Sequence, residues 1–327
     1  MDALAIHKKS RNSRWSRDPV RDGPAAVVAR VTERDIEIFK LLARYRYLPV
    51  DDIQALVGGE LKPLVHRLNL LSRKPNLYVN RPHQQRQAAD ANYRRLVYEL
   101  DERGSRVLRD RGLPFLPKAY QRNFAHELMV CRITASLEIG VRADPSIRLI
   151  TWHEILASEK TPIETRRAER PAYIPISFVA NGESHKTEVC ADGTPFGFES
   201  TRAGKRTYLF FPGIEADCGT EPITTSDFER ASITKKISAY LAIAEQGIYR
   251  SHFGFPNFFV PFITTTRARM ESMAALLDRL TGRHGAKMFL FKTFPSFTSF
   301  EKPPAATGHM LTQPWHRVGH PECHLNQ

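Results

Sequence analysis

The feature that most constrains the fold of this chain is an amphipathic stretch at residues 60–74. Its apolar side chains recur at helical spacing, at Leu61, Leu64, Val65, Leu68 and Leu71. The opposite side of the same helix carries Lys62, His66, Asn69 and Arg73, and no carboxylate follows Glu60. The pattern predicts a helix that buries one face and presents cations and hydrogen-bond donors on the other. The alternative is an ordinary solvated face without a binding role. The neighbouring elements are needed to choose between the two.

The neighbouring sequence predicts a small domain of helices with a β-hairpin. Thr32, with Asp35 three residues on, resembles a capping box that begins a first helix. A second helix follows Pro49 and ends at Gly58 and Gly59. After the third helix, residues 77–79 and 93–100 have the composition of short strands, and a closing helix runs over 102–111. This order predicts a winged helix at residues 31–112, preceded by a disordered basic arm at residues 1–30.

The formal net charge of +13 is distributed unevenly. Residues 1–119 hold 24 Lys and Arg against 14 Asp and Glu, a net +10, whereas the remainder holds 24 against 21, a net +3. The excess predicts a polyanionic partner for the first third, with double-stranded DNA preferred to an anionic membrane surface.

A DNA-bound winged helix places its third helix in the major groove and its hairpin on the backbone or minor groove. The candidate groove residues are Lys62, His66, Arg67, Asn69 and Arg73. The candidate phosphate contacts are Arg81, Arg86, Arg94 and Arg95. Sequence readout would need Asn69 or an arginine to make two hydrogen bonds to a base edge. Winged helices also dock onto proteins, so a protein-docking adaptor without DNA binding is a further alternative.

Residues 120–295 predict an α/β (α+β) domain. A helix at 122–140 precedes a strand at 147–152, a charged loop at 157–171 and a hairpin that turns at 181–182. The remaining elements are a strand at 207–216, a helix at 226–246, a strand at 258–263, a helix at 267–280 and a strand at 287–292. On the first helix, His126 is interpreted as a packed histidine.

Carboxylates follow or end two of the predicted strands. Asp192 is one, and Glu215 and Asp217 alternate onto one side of the other strand. Converging carboxylates are the hard ligands that Mg²⁺ prefers, so Asp192 and Glu215 are candidate metal ligands. A lysine of the following helix, Lys235 or Lys236, could stabilise the negative charge of a reaction at phosphorus. The alternative is that these acids end strands and accept backbone N–H groups.

Three motifs carry a resemblance to a known family. Asp-Gly-Thr-Pro-Phe-Gly at 192–197, Glu-Ala-Asp-Cys-Gly-Thr-Glu-Pro at 215–222 and the helix positions Lys236, Ile237 and Tyr240 resemble the replication-relaxation family, over residues 31–280. The resemblance implies a DNA-binding accessory protein of a plasmid or other mobile element, acting in replication, relaxation or mobilisation with relaxase or replication proteins. It also implies a PD-(D/E)xK nuclease-like second domain, with Asp192 and Glu215 as the first two acids of the signature.

Two positions depart from the nuclease signature. Ala191 stands where the signature has proline, and Asp217 stands where it has lysine. Lys235 or Lys236 could replace that lysine. The departures favour a degenerate nuclease fold kept for binding or assembly, which needs no cofactor. A Mg²⁺-dependent endonuclease using Asp192, Glu215 and Lys235 or Lys236 remains the alternative.

The remaining sequence signals concern the cellular compartment of the protein and its C-terminal tail. Four separated cysteines without a CxxC motif predict reduced thiols, and the chain shows no apolar run of membrane-spanning length, so we expect a cytoplasmic protein without membrane contact. Residues 296–327 predict an extended Pro/His-rich tail. Its His309, His316, His320, Cys323 and His324 have a spacing that could hold zinc. The oligomeric state, including a homo-oligomer, stays open.

Overall fold

The computed structural model describes residues 27–82, 96–113, 123–180, 182–225, 227–228, 230–294 and 305–326. The chain divides into two compact units, the first within residues 1–120 and the second from residue 121 onward. Over the described ranges the fold is mixed α/β, with eleven helices and several small sheets. Within the same ranges, each helix is too short or too polar to cross a membrane.

The first unit combines four helices with one small sheet. In chain order its elements are α1 (Glu33–Tyr45), β1 (Leu48–Pro49), α2 (Val50–Val57), α3 (Leu61–Leu71), β2 (Val79–Asn80), β3 (Val97–Leu100) and α4 (Glu102–Asp110). The strands pair antiparallel in the order β1-β3-β2. The expected strands at 77–79 and 93–100 correspond to β2 and β3, while residues 83–95 between them lie outside the described part of the chain.

Local signals set the ends of α1 and α4. The predicted capping box of α1 is confirmed: the Thr32 hydroxyl accepts the Asp35 N–H, and the Asp35 carboxylate accepts the Thr32 N–H at 2.7 Å. The side chain of Asp101 accepts the N–H of Glu102 and begins α4. Helix α3 buries Leu64, Leu68 and Leu71, as its apolar period predicts. These contacts fix the opposite face of α3 toward solvent.

The second unit contains the remaining helices and strands. In chain order they are α5 (Phe124–Ala143), β4 (Ile147–Ile150), α6 (Trp152–Ala157), α7 (Ile163–Arg167), β5 (Ile174–Ala180), β6 (Glu183–Val189), β7 (Phe196–Arg202), β8 (Lys205–Phe211), β9 (Glu215–Asp217), α8 (Ile233–Glu245), α9 (Ile248–Phe253), β10 (Val260–Thr264), α10 (Arg267–Leu280), β11 (Phe289–Thr293) and α11 (His309–Thr312). Strands β4, β7 and β8 form an antiparallel sheet, and β5 and β6 form a hairpin. Strands β9, β10 and β11 run parallel, with β10 in the centre.

Three predicted elements of this unit differ from the structure. The loop predicted at 157–171 contains the short helix α7, whose five residues are too few to show a helical period. The strand predicted at 207–216 is interrupted near Gly213, so β8 and β9 belong to different sheets. The helix predicted from residue 226 begins at Ile233, where the Ser232 hydroxyl accepts the Lys235 N–H.

The C-terminal segment is packed where the sequence predicts an extended tail. Residues 305–326 form α11, which packs against α5, and the ring of Trp315 is completely buried. Gly308 and Gly140 approach so closely that a Cβ on either would clash with the other segment. Backbone bridges join His316 to Phe291 of β11 and Trp315 to Cys323. The prolines therefore interrupt regular structure without preventing the apolar side chains from joining the core.

Candidate functional site

The exposed face of α3 is the first candidate site. Lys62 and His66 are solvent-exposed on the helix, and Arg73 is exposed just after its end. Because these positions are separated by four and seven residues, they fall on one side of a helical path. The structure thus keeps three of the five predicted groove residues on one exposed stripe.

Arg67 has a different environment. Its guanidinium donates to both carboxylate oxygens of Asp35, at 2.9 and 2.6 Å, and to the Arg30 carbonyl at 2.7 Å. Asp35 is 1% exposed. Burial acts to raise the pKa of Asp35, but hydrogen bonds from Arg67 and Thr32 outweigh it and hold that pKa below its usual value. Arg67 therefore joins α3 to α1, whereas the sequence suggested a groove contact.

Asn69 and Arg81 contact each other. Arg81 donates to the Asn69 side-chain oxygen, and its guanidinium lies over the Tyr98 ring at 5.7 Å from the centroid. Arg81 is 7% exposed. The two side chains therefore hold the residue after β2 against α3, and the buried Arg81 is not open to a phosphate in this arrangement. The other three predicted phosphate contacts, Arg86, Arg94 and Arg95, lie outside the described residues.

The second candidate site is the acidic cluster, which we define as Asp192, Glu215 and Asp217. Asp192 pairs through its backbone with Ile214, the residue before β9, with N–O distances of 2.7 and 3.0 Å. Its Oδ2 accepts the Ala216 N–H at 3.0 Å and lies 3.3 Å from Nε2 of His126. This pairing brings the loop before β7 beside β9 and so places Asp192 near Glu215.

His126 adds a proton donor to this cluster. Its Nε2 lies between Asp192 and the Ala216 carbonyl, which is 3.0 Å away. The interaction with Asp192 raises the pKa of His126. Burial acts to raise the pKa of Asp192, but His126 and the charge of Lys236 outweigh it and lower that pKa. Both shifts favour an ionised pair.

The buried Glu215 contacts the half-buried Lys236 and the buried Tyr240. The Lys236 ammonium lies 3.0 Å from one carboxylate oxygen, and the Tyr240 hydroxyl donates to the other at 2.5 Å. Burial raises the pKa of Glu215, although the charge of Lys236 opposes that shift. For Lys236, burial lowers the pKa, but neighbouring carboxylates, led by Glu215, outweigh it and raise the pKa. Of the two lysines that the sequence offers as a partner of the acids, Lys236 is the one that contacts Glu215. Lys235 makes no contact with Glu215 among the described residues.

Asp217 is neutralised by Arg269. The guanidinium Nε and Nη2 atoms contact the two carboxylate oxygens, the second at 2.9 Å, and Thr264 donates to Oδ2 at 2.8 Å. Arg269 also donates to the Glu221 carbonyl. A basic group therefore compensates the acid at the signature's lysine position. It comes from α10, and nothing in the local sequence of β9 indicates it.

The cluster is a poor match to a Mg²⁺ site in this arrangement. A metal needs accessible carboxylate oxygens, yet both oxygens of Glu215 and of Asp217 are engaged by side chains of α8 and α10. Across the described ranges, no three His, Cys, Asp or Glu side chains are placed to hold a metal ion. That statement includes the histidines and cysteine of the C-terminal segment. There, His309 lies 2.9 Å from the Thr307 hydroxyl and stacks on Phe294.

Three residues that contact the acidic cluster are not among the sequence-predicted site residues. The sequence indicates a packed histidine at His126, gives Tyr240 only as a position of the family resemblance, and indicates no role for Arg269. Tyr240 lies four residues after Lys236, so the shared helix face was a usable signal. The positions of His126 and Arg269, 66 and 52 residues from Asp192 and Asp217, offered none.

Comparison with known proteins identifies the family of the chain. The model of the replication-relaxation family matches residues 39–257, which is more than half of the sequence. The match begins within α1 and ends after α9, so it includes α3 and the whole acidic cluster. No curated protein and no solved structure matches the chain. The chain therefore belongs to the replication-relaxation family.

Proposed function

We propose that this protein is a DNA-binding accessory factor of a mobile genetic element, and that its first unit is a winged helix that contacts duplex DNA through α3. Family membership suggests a role in replication or relaxation of such an element. The partners would be double-stranded DNA and, through it, relaxase or replication proteins. The acidic cluster would serve assembly of the second unit.

The observation that carries this proposal is the exposed stripe of Lys62, His66 and Arg73. Its cations stand opposite the buried Leu64 and Leu68, so they face solvent without loss of core packing. Lysine and arginine side chains in such a stripe suit phosphate oxygens and the edges of guanine.

The fixed surroundings of α3 support the same proposal. Arg67 joins α3 to α1, and Asn69 joins it to Arg81. A DNA-contacting helix benefits from such preorganisation, because less conformational freedom is lost on binding. The antiparallel strands β2 and β3 that follow α3 agree with a winged helix. Arg86, Arg94 and Arg95 remain proposed contacts of the segment between them.

The second unit supports a nuclease-like ancestry with an assembly role. Parallel strands β9 and β10 are connected through α8, Glu215 lies on β9, and Asp192 pairs with the residue before it, which agrees with a PD-(D/E)xK-like arrangement. However, Lys236 neutralises Glu215 and Arg269 neutralises Asp217, and the two pairs connect β9 with α8 and α10. Charges paired in this way stabilise the packing of elements and leave few oxygens for other ligands.

The proposal is tested by the affinity of the full chain for labelled duplex DNA across a salt series. Lys62→Ala combined with Arg73→Ala should weaken binding and lower the slope of log K against log salt by about 0.9 for each phosphate that is no longer neutralised. The matched control combines Lys40→Ala with Arg109→Ala, which removes the same charge at positions paired with Glu37 and Glu102. Equal effects of the two doubles, or binding insensitive to salt, would contradict the role of α3 and favour a protein-docking adaptor.

A second candidate function, a metal-dependent endonuclease, is favoured by one observation. Lys236 lies 3.0 Å from Glu215, so the lysine missing from β9 is supplied by the next helix. Incubation of supercoiled DNA with Mg²⁺ or with chelator decides between the two functions. Strand breaks that require Mg²⁺, persist in Arg267→Ala and vanish in Glu215→Gln would establish the enzyme. Salt-sensitive binding without breaks would support the accessory factor.

A further inference from the structure

A second cationic surface lies on the second unit, around the connection from α10 to β11. The side chains of Arg279, Arg283, His284 and Lys287 are all exposed there. No carboxylate occurs between residues 279 and 287. None of these four side chains forms an ion pair with another described residue. We refer to these four residues as the α10–β11 surface.

The connection has a fixed backbone. The N–H of Arg283 donates to the Asp278 carbonyl at 2.8 Å, and the N–H of Gly285 donates to the Thr281 hydroxyl at 3.0 Å. Gly285 has a φ of 63°, and a Cβ at this position would clash with the Val318 carbonyl. The connection therefore packs directly on the C-terminal segment. The basic side chains of the α10–β11 surface therefore project from a fixed backbone.

The C-terminal segment borders this surface. It contributes the exposed His320 and the half-buried Arg317, whose Nε donates to the Pro321 carbonyl at 2.7 Å. Two acids are also nearby in sequence, the half-buried Asp278 and the exposed Glu322. The excess of positive charge at the surface remains after both acids are included.

The chemistry of the surface fits the phosphates of a nucleic acid backbone. Arginine and lysine donors bind phosphate oxygens without reading bases. Membrane contacts of this type add an apolar area that inserts between lipids. Around the α10–β11 surface, the only large apolar side chain of the described residues that is exposed is Leu280, at 39%. Duplex DNA is therefore the better match.

We propose that the α10–β11 surface is a second, sequence-independent contact for the backbone of duplex DNA. The identity of the partner rests on the proposed function. The surface itself lies outside residues 39–257, so it belongs to a part of the chain that the family match does not include. It would make DNA binding a property of both units.

The test compares two triple variants of the full chain in the same salt series. The first combines Arg279→Gln, Arg283→Asn and Lys287→Gln, with asparagine chosen because Arg283 has a φ of 68°. The control combines Arg170→Ala, Arg230→Ala and Arg267→Ala, three exposed cations of the same unit that pair with Glu188, Asp227 and Glu271. Both triples lower the net charge equally. We expect only the first to lose about tenfold or more in affinity and to lower the salt slope by about two to three.

A second measurement uses the wild-type protein and so does not depend on variant folding. Acetylation rates of individual lysines are read by mass spectrometry with and without duplex DNA. Protection of Lys287, with the exposed Lys186 unprotected, supports the surface. Protection of Lys62 in the same samples reports separately on α3.

The outcomes separate the two proposals. Loss of affinity in the surface triple, with none in the Lys62 and Arg73 double variant, would keep the surface and overturn the role of α3. Equal affinities of the two triples, with unprotected Lys287, would overturn the surface while leaving α3 intact. A surface triple that binds phosphatidylserine vesicles less well than wild type but binds DNA normally would also overturn it, in favour of a membrane contact.

Discussion

Arg67 and Arg73 belong to the same segment but have different surroundings. Arg73 is exposed, whereas Arg67 satisfies the carboxylate of Asp35, which is itself almost completely buried. An ion removed from water is costly unless its partner remains. The two arginines therefore give opposite expectations for stability and for DNA binding, although sequence spacing alone assigns both to the groove.

We expect Arg67→Met to destabilise the first unit by about 3 kcal/mol, because it leaves the buried Asp35 carboxylate without its cation. Hydrogen exchange of the α1 and α3 amides in the full chain measures this loss. The control, Arg73→Met, should change the same protection by less than about 0.5 kcal/mol. Comparable losses in both variants would contradict the structural role of Arg67.

The ion pair between Arg67 and Asp35 also predicts that the stability of the first unit depends on pH. The pKa of Asp35 is held below its usual value, so the stabilisation is present above the unfolded-state pKa and is lost as pH falls through the folded-state pKa. The difference in stability between wild type and Arg67→Met should therefore shrink below a pH of about 4. A difference that stays constant into strong acid would argue that Arg67 acts through packing alone.

Lys292 is a buried cation of another kind. Its Nζ donates to the carbonyls of His309 and Gln313, at 3.0 and 2.8 Å, and lies 5.1 Å from the Trp315 ring centroid. Burial lowers the pKa of Lys292 to about 8. A neutral amine has two N–H donors, so both contacts survive deprotonation.

A lowered lysine pKa makes the folded state bind fewer protons than the unfolded state between pH 8 and the ordinary value of 10.5. Stability should therefore rise with pH across that window, by at most about 3 kcal/mol. The rise should be present in wild type and absent in Lys292→Met, as measured by urea unfolding at several pH values. Lys205→Met, at an exposed strand position, should keep the wild-type slope, and a slope that also survives in Lys292→Met would contradict the prediction.

At the scale of elements, local sequence signals determine where helices and strands begin and end. Contacts between distant residues determine which strands pair and which elements pack together. The capping box at Thr32 and the turn between β5 and β6 act within a few residues, so the sequence was sufficient to predict them. The separation of β8 from β9 depends on the pairing of Ile214 with Asp192, 22 residues earlier. Such contacts have no local pattern, because the hydrogen-bond partner comes from another part of the chain.

The candidate sites show the same division. Helical periodicity was enough to place Lys62, His66 and Arg73 on one side, since that depends only on spacing. It did not indicate that Arg67 pairs with Asp35 or that Arg269 neutralises Asp217, because α1 and α10 supply these partners through tertiary packing. Charged residues on a predicted exposed face are thus candidates until their partners are known.

The C-terminal segment should be required for the stability of the second unit. Trp315→Ala removes a completely buried ring and should lower the free energy of unfolding by about 4 kcal/mol. Urea unfolding followed through the buried Trp152 measures this change. His320→Ala, at an exposed position of the same segment, should lie within about 0.5 kcal/mol of wild type. A similarly small effect of Trp315→Ala would show that the segment is dispensable for the core.

At the scale of the whole molecule, net charge conceals where cations are concentrated. Residues 120–327 carry only +3, yet the α10–β11 surface has four exposed basic side chains and no carboxylate between its ends. Acids such as Glu215 and Asp217 count toward this near balance, yet they are buried beside their own cations and do not offset charge at the surface. An exposed surface can therefore be strongly basic in a unit whose total charge is small, and the attraction of any polyanion depends on such local charge more than on the total.

The two proposed DNA contacts together predict that affinity depends on duplex length. Once one unit is bound, the second contact becomes intramolecular, provided that the duplex is long enough to reach both. On a duplex of about one helical turn, Arg279→Gln with Arg283→Asn and Lys287→Gln should bind nearly as well as wild type. On about four turns, the same variant should bind more weakly than wild type, whereas Lys62→Ala with Arg73→Ala should bind weakly at both lengths. Anisotropy titrations at fixed salt measure this, and an equal loss at both lengths would mean that the surface acts only through long-range charge.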